Sequence, residues 1–470
     1  DDSSRRPPEQ SGRDRGGNMF TQYAQKSSAT RALIRKGVLW TLAFFALLCM
    51  GILSAQAGAD PERLHRADLS GIAQIVQKEI RSGRIPGAVV LVGNEGRIAY
   101  RQAFGYAALG PERIPMSVGT LFDLASLTKV VATTTAVMQL VEQGKLALDA
   151  PVARYWPAFG ENGKEAITVR ELLTHYSGLA PDLNPRIPWR GYRGALGAII
   201  AEKPVAAPGS RYLYSDINFE ALGAIVQRVS GESLDIYCAK HIFGPLGMLQ
   251  TTFRPPAWER YRIAPTEYLG GKLRWGKVHD PTAYRMGGVS GHAGLFSTAD
   301  DLAIFAQMLL NGGALHDIRI LDRRSVGLMT VPQSPPGKAR LRGLGWDLTA
   351  PFAPDRDDLL PVGAYDHTGF TGTLLWIDPV SRTFVIILTN RVYPFGKGNA
   401  GPLREAVVQL LSSHLGPLTD AEVETSRPRL GRYYALVNRP DVGPSNVQTG
   451  IGGRNRHDVQ KFSGNRPVSG

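Results

Sequence analysis

Residues prone to form strands lie at the two ends of the central region of this chain, and helical periodicity fills the stretch between them. Ile85–Ala108 contains GAVVLVGNEGRIAYRQAFGYA, two β-prone runs on either side of Asn94-Glu95-Gly96, which is a hairpin turn signal. Tyr365–Val392 contains two more runs, Thr371–Ile377 and Thr383–Thr389, around a turn at Asp378-Pro379. Between them Ser126–Gln143 repeats apolar residues at helical spacing, with Gly144 as a C-terminal stop. Further helices are expected at Val169–His175, Ile217–Val229, Leu234–His241 and Ala299–Leu310, the last capped by Thr298 or Ser297, and an amphipathic one at Leu403–Leu415. The simplest closure pairs the N-terminal hairpin with the C-terminal strands. The expected class is therefore α/β (α+β): one antiparallel sheet flanked by helices, with a mostly helical lobe inserted over 110–340.

Charge is uneven along the chain. The formal net charge is +13, but residues 1–57 carry +4 and residues 426–470 carry +6, so only +3 remains between them. A nucleic-acid module would gather that charge on a folded face, so no nucleic-acid partner is expected. Residues 1–36 read as a disordered basic extension. Gly37–Ala59 holds no charge, follows Arg31, Arg35 and Lys36, and ends near Ala55-Gln56-Ala57. That is the pattern of a secretory signal, and an uncleaved membrane anchor is the alternative. Either one exports the remainder to the periplasm or beyond. Residues 60–417 read as the folded domain and 418–470 as a linker-like basic tail. The two cysteines, Cys49 and Cys238, exclude a disulfide framework and a cysteine-built zinc site.

The chain lacks GxSxG, HExxH, GxxxxGK[ST] and a strand-GxGxxG-helix unit. It has one S-x-x-K, Ser126-Leu127-Thr128-Lys129. Three residues apart on a helix, the two side chains share a face. A lysine among apolar residues loses its proton more readily and can take one from serine; the plainer reading is a helix-capping serine with an exposed lysine. Tyr214-Ser215-Asp216 precedes a helix, where the tyrosine can relay a proton or Ser215 and Asp216 can act as caps. His367-Thr368-Gly369 is expected to open a strand, with Gly369 admitting close approach of a ligand and the Phe370 N–H available to an oxyanion. Taken singly, each has an ordinary structural explanation.

Together, in this order and spacing, the three segments resemble the serine β-lactamase and penicillin-binding protein superfamily, in its class C β-lactamase, DD-peptidase and carboxylesterase branch. FDLASLTKVVAT, ITVRELLTHYSGL, YSDINFEALGAIVQRVSG, GGVSGHAGLFSTADDLAIFAQML, GLGWDL and HTGFTGTLLWIDP are similar to family segments, and the resemblance runs from about Leu69 to Leu415. It implies that Ser126 is a nucleophile forming an acyl-enzyme, Lys129 its general base and Tyr214 a proton shuttle. It further implies an oxyanion hole made by the backbone N–H groups of Ser126 and Phe370, and substrate binding by Asp216, His367, Thr368 and Gly369. It calls for neither a metal nor an organic cofactor.

Two departures from the family pattern bear on substrate. His-Thr-Gly stands where many β-lactamases have Lys-Thr-Gly, and histidine holds a carboxylate less surely near neutral pH. Tyr-Ser-Asp stands where Tyr-x-Asn is frequent, and an ionised Asp216 cannot donate a hydrogen bond. The expected function is an exported serine hydrolase acting on D-Ala-D-Ala-type peptides or β-lactams. A carboxylesterase and a non-catalytic envelope binding module are the alternatives. A lowered Lys129 pKa is expected of a base. His292, in Gly291-His292-Ala293-Gly294, reads as structural support of the cleft.

Overall fold

The computed structural model describes residues 63–348 and 363–426, apart from 111, 185, 417, 423 and 425. The apolar segment 37–59, the basic extension before it and the tail beyond 426 lie outside the described residues. Among the described residues no helix is long and apolar enough to cross a membrane.

The expected hairpin is present as β1 (Gly87–Asn94) and β2 (Arg97–Ala108), followed by a short β3 (Ile114–Pro115). The C-terminal strands are β4 (Tyr365–Thr368), β5 (Leu374–Asp378) and β6 (Thr383–Thr389). All six form one sheet in the order β4-β5-β6-β1-β2-β3, with every neighbouring pair antiparallel. The ends of the domain meet at its centre, where Ala88 of β1 faces Thr389 of β6 and Asn94 faces Thr383. Every residue of β1, β5 and β6 is buried. Both faces of the sheet are therefore covered, which is why these strands read as continuous apolar runs.

The two faces serve different cores. Ala88, Val90, Val92, Leu374, Trp376, Val385 and Ile387 pack against helix α1 (Gly71–Arg81) and the C-terminal helix Gly401–Leu415. Val89, Leu91, Leu375, Ile377, Phe384, Ile386 and Leu388 face the inserted lobe. The period of two along each strand produces this division.

In the lobe, a helical run ends with α2 (Thr135–Glu142), and Gly144, at φ +69, terminates it. The lobe also contains α3 (Val169–Thr174), α4 (Gly191–Ala201), α5 (Asp216–Ser230), α6 (Leu234–Cys238) and α7 (Ala299–Leu310). Thr298, not Ser297, caps α7 by accepting from the Asp301 N–H. The Gly401–Leu415 helix is α8.

Four expectations need correction. The helix expected over Ser126–Gln143 is not α-helical throughout: Lys129–Thr134 is a π turn. Threonine hydroxyls explain it. Thr135 Oγ1 donates to the carbonyl of Val130, five residues back, and Thr133 Oγ1 donates across to Gly291 O. The strand expected from Thr371 starts at Leu374, because Gly369–Thr373 closes a turn through Gly369 N–H to Thr373 O at 2.8 Å. His367 and Thr368 end the edge strand β4 and do not open one. Finally, order continues past the expected linker start at 418. Thr419 and Glu422 form a reciprocal cap, Thr419 N–H to Glu422 Oε2 at 2.7 Å and Glu422 N–H to Thr419 Oγ1 at 3.2 Å, and Glu422 is buried.

Candidate active site

The segment carrying Ser126 is held from two sides. Phe122–Asp123 pairs with Leu295–Ser297. From the sheet, Thr371 Oγ1 donates to Asp123 O at 2.7 Å and Thr373 Oγ1 to Leu124 O at 3.0 Å. Asp123 itself is buried; its side chain accepts from Ala125 N–H and His279 N–H, and burial pushes its carboxyl up. Ala125 is then turned to φ +47, a left-handed conformation costly for a residue with a Cβ. This sharp turn presents Ser126 half-buried at the start of the helical run.

Lys129 lies one turn on and is fully buried. Its Nζ donates to Ser126 Oγ at 2.9 Å and to His292 O at 3.1 Å, and stands 2.7 Å from Asp216 Oδ1. The Tyr214 ring centroid is 5.0 Å from the same nitrogen. Ser126, Lys129, Tyr214 and Asp216, up to 90 residues apart in the chain, thus converge on one point.

The lowered Lys129 pKa expected from burial is not what this site holds. Burial does depress it, but the Asp216 carboxylate and the Tyr214 phenol outweigh burial and raise the lysine above its ordinary value. The resting group is an ammonium. An aspartate in place of asparagine therefore supplies Lys129 with a counter-ion.

Ser215 and Asp216 do not act as side-chain caps. Ser215 is the N-cap of α5 by position only, and its Oγ donates to Ala180 O at 2.6 Å. The loop is fixed instead by Asp216 N–H to Pro181 O at 2.7 Å and Ser215 N–H to His175 Nδ1 at 3.1 Å. His175 terminates α3 at φ +61, and its ring stacks on Tyr214 at 4.4 Å. Burial, then the nearby Arg342 and Lys129, push its pKa well down, so it is a neutral platform for the phenol. It stood in a family-like segment with no role assigned; its position just after the end of a helix was the one available signal.

Thr368, Gly369 and Phe370 line a crevice of about 430 Å³ together with Ser126 and Tyr214. Among the described residues, the N–H groups of Ser126 and Phe370 donate to no protein acceptor, as an oxyanion hole requires. Gly369 answers a packing demand: a Cβ there would meet Thr373 Oγ1 at 2.1 Å and Leu124 O at 2.4 Å. The close approach is by the nucleophile segment and not by a ligand. His367 is placed differently from its expected substrate-binding position. It is buried beside the crevice, Nδ1 lies 2.9 Å from Thr368 O, and Nε2 has no partner. Burial, then Arg342 and Lys129, push its pKa down to about 3, so it offers no positive charge to a carboxylate.

Positive charge comes instead from two arginines that sequence reasoning missed. Arg391 and Arg404 line the same crevice. Arg391 Nε donates to Phe370 O at 2.7 Å; Arg404 Nη2 donates to Gly369 O at 2.7 Å and Thr373 O at 2.9 Å. Neither pairs with a carboxylate among the described residues, and Arg404 Nε is buried without an acceptor. Burial, then mutual repulsion with Arg391, pushes Arg404 down to about 10, still a cation at neutral pH. Two guanidinium groups beside Ser126, with no carboxylate in ion-pair contact among the described residues, can receive an anion.

The one set of side chains among the described residues with metal-ligand spacing is Asp216, Asp280 and His292, whose ligand atoms lie within 4.8 Å of one another. Its negative charge is already met by the Lys129 ammonium and a protonated His292.

Comparison with known proteins places the chain in a family. A family model described as Beta-lactamase matches residues 72–409. A protein of Escherichia coli strain K12, named "Putative D-alanyl-D-alanine carboxypeptidase", is 34% identical over 376 residues, covering 72% of this chain and 84% of its own. Among solved structures, EstCE1, a hydrolase with promiscuous acyltransferase activity, superposes with a TM-score of 0.59 at 24% identity, over 72% of this chain and 97% of its own. A class C β-lactamase does so with a TM-score of 0.60 at 22% identity, over 75% and 99%. The last two likenesses concern the fold, which is that of β-lactamases and transpeptidases.

Proposed function

Since this chain belongs to the Beta-lactamase family and is a serine hydrolase, we propose that it is an exported carboxypeptidase of the D-alanyl-D-alanine type, working through an acyl-enzyme on Ser126. The observation that carries the substrate is the pair Arg391 and Arg404, uncompensated in the crevice that holds Ser126 and Thr368. A peptide ending in D-alanine brings a carboxylate to that place; a neutral ester brings none. The name of the Escherichia coli relative supports the same class. Export is supported by the uncharged Gly37–Ala59 segment behind a basic flank, and is tested by fractionating cells that express the full chain.

In this reading Ser126 Oγ attacks the scissile carbonyl and its proton passes to Lys129 Nζ, which must first have lost its own. The N–H groups of Ser126 and Phe370 receive the oxyanion. As the C–N bond breaks, Tyr214 delivers a proton to the departing amine and regains one from the Lys129 ammonium. Water then attacks the acyl carbonyl and gives a proton to Lys129, and Ser126 Oγ takes that proton as the acid is released. Lys129 has three polar contacts, and both its states satisfy them. The ammonium donates three times; the amine donates twice and accepts from Ser126. Deprotonation therefore strands no neighbour, and the acylation rate is expected to rise with pH through the Lys129 ionisation.

The test is release of D-alanine from a diacyl-lysyl-D-alanyl-D-alanine peptide. Arg391→Ala and Arg404→Ala should each raise KM for it by about tenfold, the worth of one charge-assisted hydrogen bond, and affect p-nitrophenyl butyrate turnover less than D-alanine release. The carboxylesterase reading draws on Asp216, which gives an amide substrate no N–H donor. Rapid ester turnover that is lost in Ser126→Ala, with no D-alanine released, selects it.

A further inference from the structure

Asp216 is one of two aspartates close to Lys129. Asp280 begins the helix Pro281–Arg285, its Oδ1 accepting from Ala283 N–H at 2.7 Å and lying 2.8 Å from Nε2 of His292. The His292 ring is buried, with Nδ1 2.8 Å from Ser290 Oγ and 3.5 Å from Glu220 Oε1. Asp216 and Asp280 each present an oxygen within 4.8 Å of a His292 ring nitrogen and of each other. The carbonyl of this same residue accepts from Lys129 Nζ. His292 therefore meets Lys129 through its backbone, and its ring lies within 4.8 Å of the Asp216 carboxyl.

The groups facing this cluster are Lys129 from the π turn, Asp216 and Glu220 from α5, Asp280, His292 and Asp182. Burial pushes Glu220 up to about 8 and raises Asp182, so Glu220 is protonated near neutral pH. Burial opposes the charge on His292, but Asp280 prevails and holds it up to about 9; His292 in turn keeps Asp280 ionised against the effect of burial. Apart from Asp182, whose carboxyl burial raises, what remains is the carboxyl groups of Asp216 and Asp280 and the cations Lys129 and His292.

We propose that His292, paired with Asp280, is a positioning residue for the base: as an imidazolium it supplies the second positive charge, so that the two carboxylates do not both bear on Lys129. The role rests on the acyl-enzyme reading of Ser126 and Lys129. Without the ring charge, two carboxylates face one ammonium, its proton is held harder, and the amine appears only at higher pH.

The probe is a fluorophosphonate, which an activated serine attacks with formation of an O–P bond and loss of fluoride. The labelling rate is followed against pH in the full chain. His292→Gln keeps a hydrogen bond to Asp280 but removes the charge, and should move the midpoint of the rising limb upward by about one pH unit or more. Adding Asp280→Asn restores the charge sum and should return the midpoint to that of the wild type. An unmoved midpoint in folded His292→Gln overturns the proposal, as does a shift that persists in the double variant, since that is the mark of a packing role. Histidine NMR of the wild type tests the same point without substitution: an imidazolium from pH 6 to 8 supports it and a neutral ring overturns it. A wild type that never labels at Ser126 overturns the acyl-enzyme reading itself, and does so before any variant is compared.

Discussion

The proton on Lys129 answers to burial on one side and to Asp216 and Tyr214 on the other. Removing the Asp216 charge leaves burial as the larger influence, and burial favours the neutral amine. Asp216→Asn should therefore move the rising limb of Ser126 labelling to lower pH by about one unit or more. The new amide also gives substrate the N–H donor that the aspartate lacks, so acylation by a fluorescent penicillin should increase by about tenfold. A limb that stays in place would show that Asp216 does not hold the lysine proton. At this scale the residues that converge on the crevice were legible where a local pattern marks them: Ser126 and Lys129 by their spacing, Tyr214 by its place before a helix. Arg391, Arg404 and His175 were not. Each acts through a placement that no short window contains: the arginines are anchored on backbone carbonyls of the Gly369–Thr373 turn, and His175 under the ring of a tyrosine 39 residues away. His292 was noticed, but its partner Asp280 comes from another segment, and the ring's charge depends on that partner.

Among the elements, the Gly369–Thr373 turn joins substrate crevice to nucleophile. It carries Phe370 on one side and reaches Asp123 O and Leu124 O on the other. A methyl group at Gly369 cannot be accommodated without moving the Leu124 carbonyl, two residues before Ser126. Gly369→Ala should lower stability by about 1–3 kcal/mol and reduce Ser126 labelling in the molecules that remain folded. Gly110→Ala, with nothing within 4 Å of its added Cβ, should do neither. Thermal melts and labelling rates of the two variants decide it. Strands of this sheet were readable because β1 and β6 are apolar throughout and bounded by turn residues. The start of β5 was not, since Thr371 and Thr373 are β-prone by type yet spend their hydroxyls on the nucleophile segment. The π turn was hidden for a related reason: one extra residue per turn hardly alters apolar spacing over six residues, and its cause is a hydrogen bond to Gly291, 158 residues distant.

Over the whole molecule, the larger core of the inserted lobe is shared with the sheet, and only a small cluster around Leu121, Ile263, Val278, Ala283, Ala293 and Phe296 is wholly the lobe's own. Leu127, Val130 and Val131 beside the nucleophile share one continuous cluster with Val89 and Leu91 of β1 and with Ile386 and Leu388 of β6. Strand β6 is the hinge of this arrangement, pairing with β1 over seven residues and with β5 over five, and both its faces are buried. It is also made almost last, some 290 residues after its β1 partner. The lobe that carries Ser126, Lys129 and Tyr214 must therefore wait for a long-range closure, which implies slow folding. It also implies that the site cannot be separated from the C-terminal strands. A chain ending at Pro379 keeps the nucleophile, base, phenol and the Phe370 N–H but lacks β6, Arg391, Arg404 and α8. It should show no cooperative thermal transition, no fixed near-UV circular dichroism and no labelling of Ser126 by a fluorophosphonate. If that fragment melts cooperatively, the lobe is an independent folding unit and the shared core is not what positions the site. Supplying residues 380–426 as a separate peptide sharpens the distinction: recovery of labelling only when the peptide is present would show that closing the sheet is the step that brings the nucleophile into register with its base.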